Sequence, residues 1–241
     1  MWELRPSVLT LLERNNARIR RIDLDRSNPR PTHGLPWYRS LASSYPEMRQ
    51  EWDAFTDAGG DLPLIEDVLG FPDQNQGSYW KLAPIVSQGR PVRPVTRAFP
   101  ATTAALRAVP GLRSACWSVL GPGGWIPEHV GENAGCLRLL FSVDGGGAHF
   151  SVARTTIPCI DGEGLLFDDT VVHAADNPAS QPRVVILCDI LRPLPGLAAW
   201  QNRLTQQALH HLTPAYRRSA SRASERFRGR NPHLFASGRP A

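Results

Sequence analysis

The sequence has no apolar run long enough to span a bilayer, and its first residues carry no small-residue cleavage pattern. Both absences predict a soluble, cytoplasmic chain with no membrane span. Cysteine is scarce. Cys116, Cys136, Cys159 and Cys188 lie far apart with no C-x-x-C pair, which argues against zinc ribbons and thioredoxin chemistry and predicts buried free thiols. No segment repeats. The net charge is +5, yet much of the excess sits in a tail holding Arg217, Arg218, Arg222, Arg226, Arg228 and Arg230. That tail lacks the interleaved aromatics of a single-strand binder, so a solvated basic helix or frayed end is expected and a nucleic-acid partner is not.

What is present suits one elaborated domain: 241 residues, 41% of them hydrophobic, can bury a sizeable core. From Pro46 to Phe55, "PEMRQEWDAF" puts Met48, Trp52 and Phe55 at helical spacing behind a first-turn proline, and Gly59-Gly60 closes the helix. The preceding "SNPRPTHGLPWYRS" reads as an irregular arm. From about Tyr79 the pattern changes to short apolar runs cut by Gly, Pro and Asp: "YWKLAPIV", "SACWSVL", "CLRLLFSV", "AHFSVAR", "GLLFDDT" and "RVVILCDI". Their near-regular spacing predicts an all-β sandwich or barrel.

Alternation assigns the faces of the strand that starts at Cys136. Arg138, Leu140 and Ser142 share one face, and Leu137, Leu139 and Phe141 the other. An arginine midway along such a strand needs an anionic partner. After Pro195, "GLAAWQNRLTQQALHHL" places Trp200, Leu204, Ala208 and Leu212 four residues apart, which predicts a helix packed on the sheet through that face. The adjacent His210 and His211 read as surface residues. The chain thus divides into an arm and helical leader over 1–78, a β core over 79–195, and a helix with a basic tail over 196–241.

Four polar side chains fall in the β-rich half where burial needs a reason: Ser118, His129, His173 and Arg183. The two histidines lie near strand ends that can converge at one barrel mouth, and a pair of imidazoles suits a borderline divalent metal such as Fe(II). Arg183 opens a strongly apolar strand, where a guanidinium is placed for a two-pronged grip on a carboxylate, and the Ser118 hydroxyl can add a hydrogen bond. One thing is missing. His129 is followed by Val130 and Gly131, where many metal oxygenases carry an iron-binding Asp or Glu.

The blocks "WSVLGPGGWIPEHVGEN", "LRLLFSV", "FDDTVVHAADN" and "PRVVILCDILRP" together resemble the aspartyl/asparaginyl β-hydroxylase family, iron(II)- and 2-oxoglutarate-dependent oxygenases on a double-stranded β-helix (jelly-roll or cupin-like) core. In that family glycine is usual at the place of Gly131. The resemblance implies that His129 and His173 bind Fe(II), that Arg183 and Ser118 hold the distal carboxylate of 2-oxoglutarate, and that Arg138 meets the proximal carboxylate or the substrate. O2 is the further co-substrate. Asp169, on the same face as His173 if that segment is extended, is placed beside the metal, holding a water and repelling chloride. One departure stands out: Leu140 replaces the family's common histidine, which makes the pocket more apolar.

These readings predict a dioxygenase that hydroxylates a C–H bond of an amino-acid-derived small molecule or a peptidyl Asp/Asn-like residue. The alternatives are a fatty-acyl hydroxylase, a halogenase, and a non-enzymatic metal- or ligand-binding barrel. Arg183 speaks against the last, which has no evident need for a cation there.

Overall fold

The computed structural model describes residues 6–23, 25, 27–69 and 79–236. Helices α1 (Pro6–Ile22), α2 (Pro36–Ser43), α3 (Tyr45–Asp57) and α4 (Ile65–Leu69) precede strands β1 (Trp80–Ser87) and β2 (Arg90–Pro91). Two short helices follow, α5 (Arg93–Ala98) and α6 (Pro100–Leu106), before β3 (Leu112–Leu120), β4 (Trp125–His129), β5 (Cys136–Asp144), β6 (His149–Val152), β7 (Thr155–Pro158), β8 (Gly164–Phe167), β9 (His173–Asp176) and β10 (Arg183–Leu191). Helices α7 (Gly196–Leu212) and α8 (Pro214–Arg230) close the fold.

The strands form two antiparallel sheets, one ordered β2-β1-β3-β10-β5-β8 and the other β4-β9-β6-β7. Their facing sides make the double-stranded β-helix. Each of the six apolar runs picked out from the sequence contains a strand, because each alternates on a surface half-buried between layers. The face assignment along β5 holds as well: Leu137, Leu139 and Phe141 join the larger core under the helices, while Leu140 joins the smaller core between the sheets with Leu120, Phe150, Phe167 and Val185.

Helix α3 buries Met48, Trp52 and Phe55, as its spacing requires. Trp52 and Phe99 pack against Trp117 of β3 with ring centroids 4.9 Å apart in each case, so this helix braces the back of the large sheet. Gly59 adopts φ 77°, and the Gly60 N–H returns to the Phe55 carbonyl to end the helix.

Four expectations need correction. The segment read as an irregular arm ends in helix α2, where Pro36 in the first turn favours helix entry and Tyr38 and Leu41 are buried. The basic tail forms α8 but is not simply solvated: Phe227 is fully buried and lies 5.9 Å from Phe55, and Arg230 pairs with Asp61 and Asp67. The cysteines are unpaired, with Cys136 and Cys188 buried but Cys116 and Cys159 partly exposed.

Helix α7 is turned the other way from its expected packing. Trp200, Leu204 and Leu212 do not face the sheet; they are exposed, and the helix buries Asn202, Thr205, Gln206 and Leu209 instead. Among the described residues no helix is long and apolar enough to cross a membrane.

Candidate active site

His129 ends β4 and His173 starts β9, and the two residues are paired across the small sheet. Their rings lie 4.1 Å apart between centroids. The ring Nδ1 of each histidine sits 2.8 Å from the carbonyl oxygen two residues earlier, Pro127 for His129 and Val171 for His173. A carbonyl only accepts, so Nδ1 carries the proton and Nε2 presents a lone pair. This matched pair of backbone contacts is the device that orients metal-binding imidazoles. Burial pushes His173 down to about 4, so it is neutral at pH 7 and ready to act as a ligand.

Beside the pair lies Asp169. Its Oδ1 is 3.3 Å from Nε2 of His173 and 2.6 Å from Nη1 of Arg138. Burial is the largest influence on this carboxyl and raises it above its ordinary value, against the pull of Arg138. Arg138 also contacts Asp189 of β10 at 3.0 Å, and Asp189 accepts a hydrogen bond from Ser114. Burial opposes the charge of Arg138, but the two carboxylates outweigh it and hold the guanidinium protonated.

Gly131 follows β4 and approaches this carboxylate from the other side. Its N–H donates to the Asp169 carbonyl at 2.7 Å. A Cβ built on Gly131 would lie 1.8 Å from Asp169 Oδ2 and 2.4 Å from its Cγ, so Asp169 already occupies the volume of any side chain at that position. Among the described residues no three His, Cys, Asp or Glu side chains are arranged to hold a metal. A metal here would have two protein ligands.

At the floor of the same cavity, Arg183 opens β10 opposite Leu120 of β3. The residue is 2% exposed, and its Nε and Nη1 have no hydrogen-bond partner among the described residues. Burial lowers its proton affinity, with only the Cys159 thiol and the charge of Asp176 acting in the opposite direction. A buried guanidinium with two idle nitrogens is costly unless an anion completes it. Ser118, also buried, lines the cavity and accepts a hydrogen bond from Trp80 Nε1 at 2.9 Å, which leaves its hydroxyl proton free to donate.

All six residues singled out from the sequence therefore lie in or beside one cavity. Ser118, His129, Arg138, His173 and Arg183 line it, and Asp169 is paired with Arg138 and lies 3.3 Å from His173. Trp80, Ile126, Phe150, Phe167 and Leu187 complete the wall, with Leu140 among them. Two participants were not read from the sequence. Trp80 fixes the Ser118 hydroxyl, and Asp189 shares Arg138. Alternation along the "RVVILCDI" run, which puts Arg183, Leu187 and Asp189 on one face, was the available signal for Asp189.

Fold and site together define the class: a jelly-roll barrel in which a histidine pair and a buried, incompletely paired cation face one cavity. The chain belongs to the aspartyl/asparaginyl β-hydroxylase family, whose model matches residues 42–193. It is 28% identical over 176 residues to the ornithine lipid ester-linked acyl 2-hydroxylase of Rhizobium tropici. That match covers 71% of this chain and 63% of the relative. Solved structures that resemble it include a predicted oxalate decarboxylase from Thermotoga maritima, with TM-score 0.34 and 16% identity over 47% of this chain and 81% of that one. Another is a cupin domain from Bordetella pertussis, with TM-score 0.28 and 16% identity over 35% of this chain and 97% of that one.

Proposed function

We propose that the protein is an Fe(II)- and 2-oxoglutarate-dependent dioxygenase that hydroxylates an acyl chain. The observation that carries the cofactor reading is the buried Arg183 guanidinium, whose free nitrogens share a cavity with two imidazoles. His129 and His173 would hold the iron through Nε2. Arg183 would grip the distal carboxylate of 2-oxoglutarate with two hydrogen bonds, and Ser118, held by Trp80, would donate a third. When bound, iron with 2-oxoglutarate and O2 supplies an oxidant able to break an unactivated C–H bond, giving succinate and CO2 beside the hydroxylated product.

The protein's part is orientation and exclusion. Asp169 pairs with Arg138, lies beside the His173 ring and fills the space that a side chain at Gly131 would need. A negative group there disfavours chloride, which supports hydroxylation over halogenation. Phe150 and Phe167 pack against His173 and keep water from the reacting centre.

The acyl reading replaces the amino-acid or peptidyl substrate expected from the sequence, for a specific reason. An aspartyl substrate needs a cation to receive its carboxylate, and Arg138 is already engaged by Asp169 and Asp189. Leu140, Ile126, Phe150 and Leu187 supply an apolar wall, and Val130 and Val172, next to the two histidines, are exposed. The Rhizobium tropici relative is described as an ester-linked acyl 2-hydroxylase, and a pocket of this character suits the same kind of substrate. Incubation with an ester-linked acyl lipid, iron and 2-oxoglutarate should add one oxygen atom to the acyl chain, and this should stop when 2-oxoglutarate is omitted. Turnover without 2-oxoglutarate, or oxidation of aspartyl peptides in preference to the lipid, would contradict the proposal.

A further inference from the structure

Helix α7 is amphipathic in the reverse of the usual sense. Its inward face carries amides. Asn202 donates to the Gly135 carbonyl at 2.8 Å and accepts from Asn15 of α1, while Gln206 exchanges hydrogen bonds with Asn133. Asn16 of α1 adds bonds to the Glu132 carbonyl and the Ala134 N–H. The amide network bolts both helices to the loop that runs on from His129 and Gly131.

The outward face of α7 carries Leu197, Trp200, Leu204 and Leu212, which are 67%, 57%, 43% and 49% exposed. Leu197, Trp200 and Leu204 are three and four residues apart and Leu212 lies two turns further on, so all four fall along one side of the helix. A stripe of this length held out in water is a standing cost unless something covers it. Its surroundings are basic: α1 and α7, packed side by side through Val8, Leu12 and Leu209, contain five arginines against one glutamate. Arg203 on α7 and Arg14, Arg18 and Arg21 on α1 are exposed.

We infer that the α1 and α7 layer docks the protein onto an anionic lipid bilayer, with the leucines and Trp200 entering the interface and the arginines meeting headgroup phosphates. A tryptophan beside leucines on a helix flanked by cations is the composition that lies in a membrane surface. A second copy of this chain is the poorer occupant, because a two-fold contact through α7 would face two arginine-rich layers toward each other. The inference goes beyond the acyl-hydroxylase reading and stands on surface chemistry alone, although docking through the layer tied to the Gly131 loop would bring the site to a lipid substrate.

The test uses the full chain and sedimentation with vesicles free of any substrate lipid. Phosphatidylcholine vesicles that contain phosphatidylglycerol should bind the protein, and phosphatidylcholine alone should bind it far less. Trp200→Ser with Leu204→Ser should weaken binding by about tenfold or more, and Arg203→Glu by about fivefold with a reduced salt dependence. These side chains are exposed, so circular dichroism and anaerobic binding of iron and 2-oxoglutarate should not change. No binding by the unmodified protein, or equal binding by the double variant, would overturn the inference. So would a dimer that the double variant converts to monomer. Vesicle binding by a protein that takes up no iron or 2-oxoglutarate would leave the docking intact and defeat the oxygenase reading.

Discussion

The carboxylate of Asp169 stands where a side chain of residue 131 would have to go: a Cβ on Gly131 would meet its Oδ2 at 1.8 Å. The glycine after His129 is therefore not an empty ligand position but the clearance for a carboxylate delivered from the other side of the site. That carboxylate is held by Arg138 at 2.6 Å instead of being presented from the strand of His129.

Gly131→Ala should then displace Asp169 and break its contact with Arg138. Iron retention should fall by about tenfold or more, because a charged group packed beside the metal ligands typically contributes that much to metal affinity. Gly131→Asp should do no better, whereas Gly131→Asp combined with Asp169→Gly should recover part of the loss, since the second change vacates the contested volume. Metal analysis of the three proteins checks this. Full iron in Gly131→Ala would show that Asp169 has room to move.

Arg183→Met should separate stability from function. The unmodified guanidinium is buried with two nitrogens idle, so an apolar replacement of similar length should raise the melting temperature of the ligand-free protein. The same change should raise the 2-oxoglutarate requirement by tens to thousands of fold, since losing one partner of a desolvated pair costs about 2–5 kcal/mol. Arg183→Lys should restore only part of the binding, because a point charge lacks the forked geometry. Unchanged 2-oxoglutarate binding in Arg183→Met would make the arginine structural.

Trp80→Phe keeps the ring in the wall but removes the donor that holds Ser118. Affinity for 2-oxoglutarate should fall by about fivefold, the worth of about 1 kcal/mol for one hydrogen bond. Iron binding should not change. Loss of iron with retained 2-oxoglutarate affinity would reverse the assignment.

Burial holds the folded His173 at about 4, against an ordinary value near 6.5 in the unfolded chain. The unfolded chain therefore takes up a proton that the folded one refuses. His173 should destabilise the fold progressively as pH drops from about 6.5 toward 4 and have no such effect above that window. Thermal melts of the iron-free protein should show this acid-side loss, and His173→Asn should lose less over the same window. Parallel curves for the two proteins would contradict it.

The parts of this molecule that were legible in the sequence are those governed by local pattern. Strand runs and the Met48, Trp52 and Phe55 face follow from alternation and helical spacing, and the polar residues that line the cavity were picked out by the family blocks. The inverted α7 was not legible. Its spacing is that of an inward apolar stripe, and what overrides it is an amide network with Asn15, Asn133 and Gly135, partners dozens of residues away or more. Arg138 is a parallel case. The need for an anion could be read along β5, but its engagement by both Asp169 and Asp189 depends on the pairing of β5 with β8 and β10.

The central claim is that one cavity takes iron on His129 and His173 and 2-oxoglutarate on Arg183. Anaerobic titration of the protein with Fe(II) and then 2-oxoglutarate tests it most directly, through the visible charge-transfer absorption of chelated 2-oxoglutarate. The account predicts a saturable band at one equivalent of each, absent in His129→Ala and His173→Ala, and shifted to much higher 2-oxoglutarate in Arg183→Met. A protein that binds no iron, or a band that survives the loss of either histidine, would contradict it.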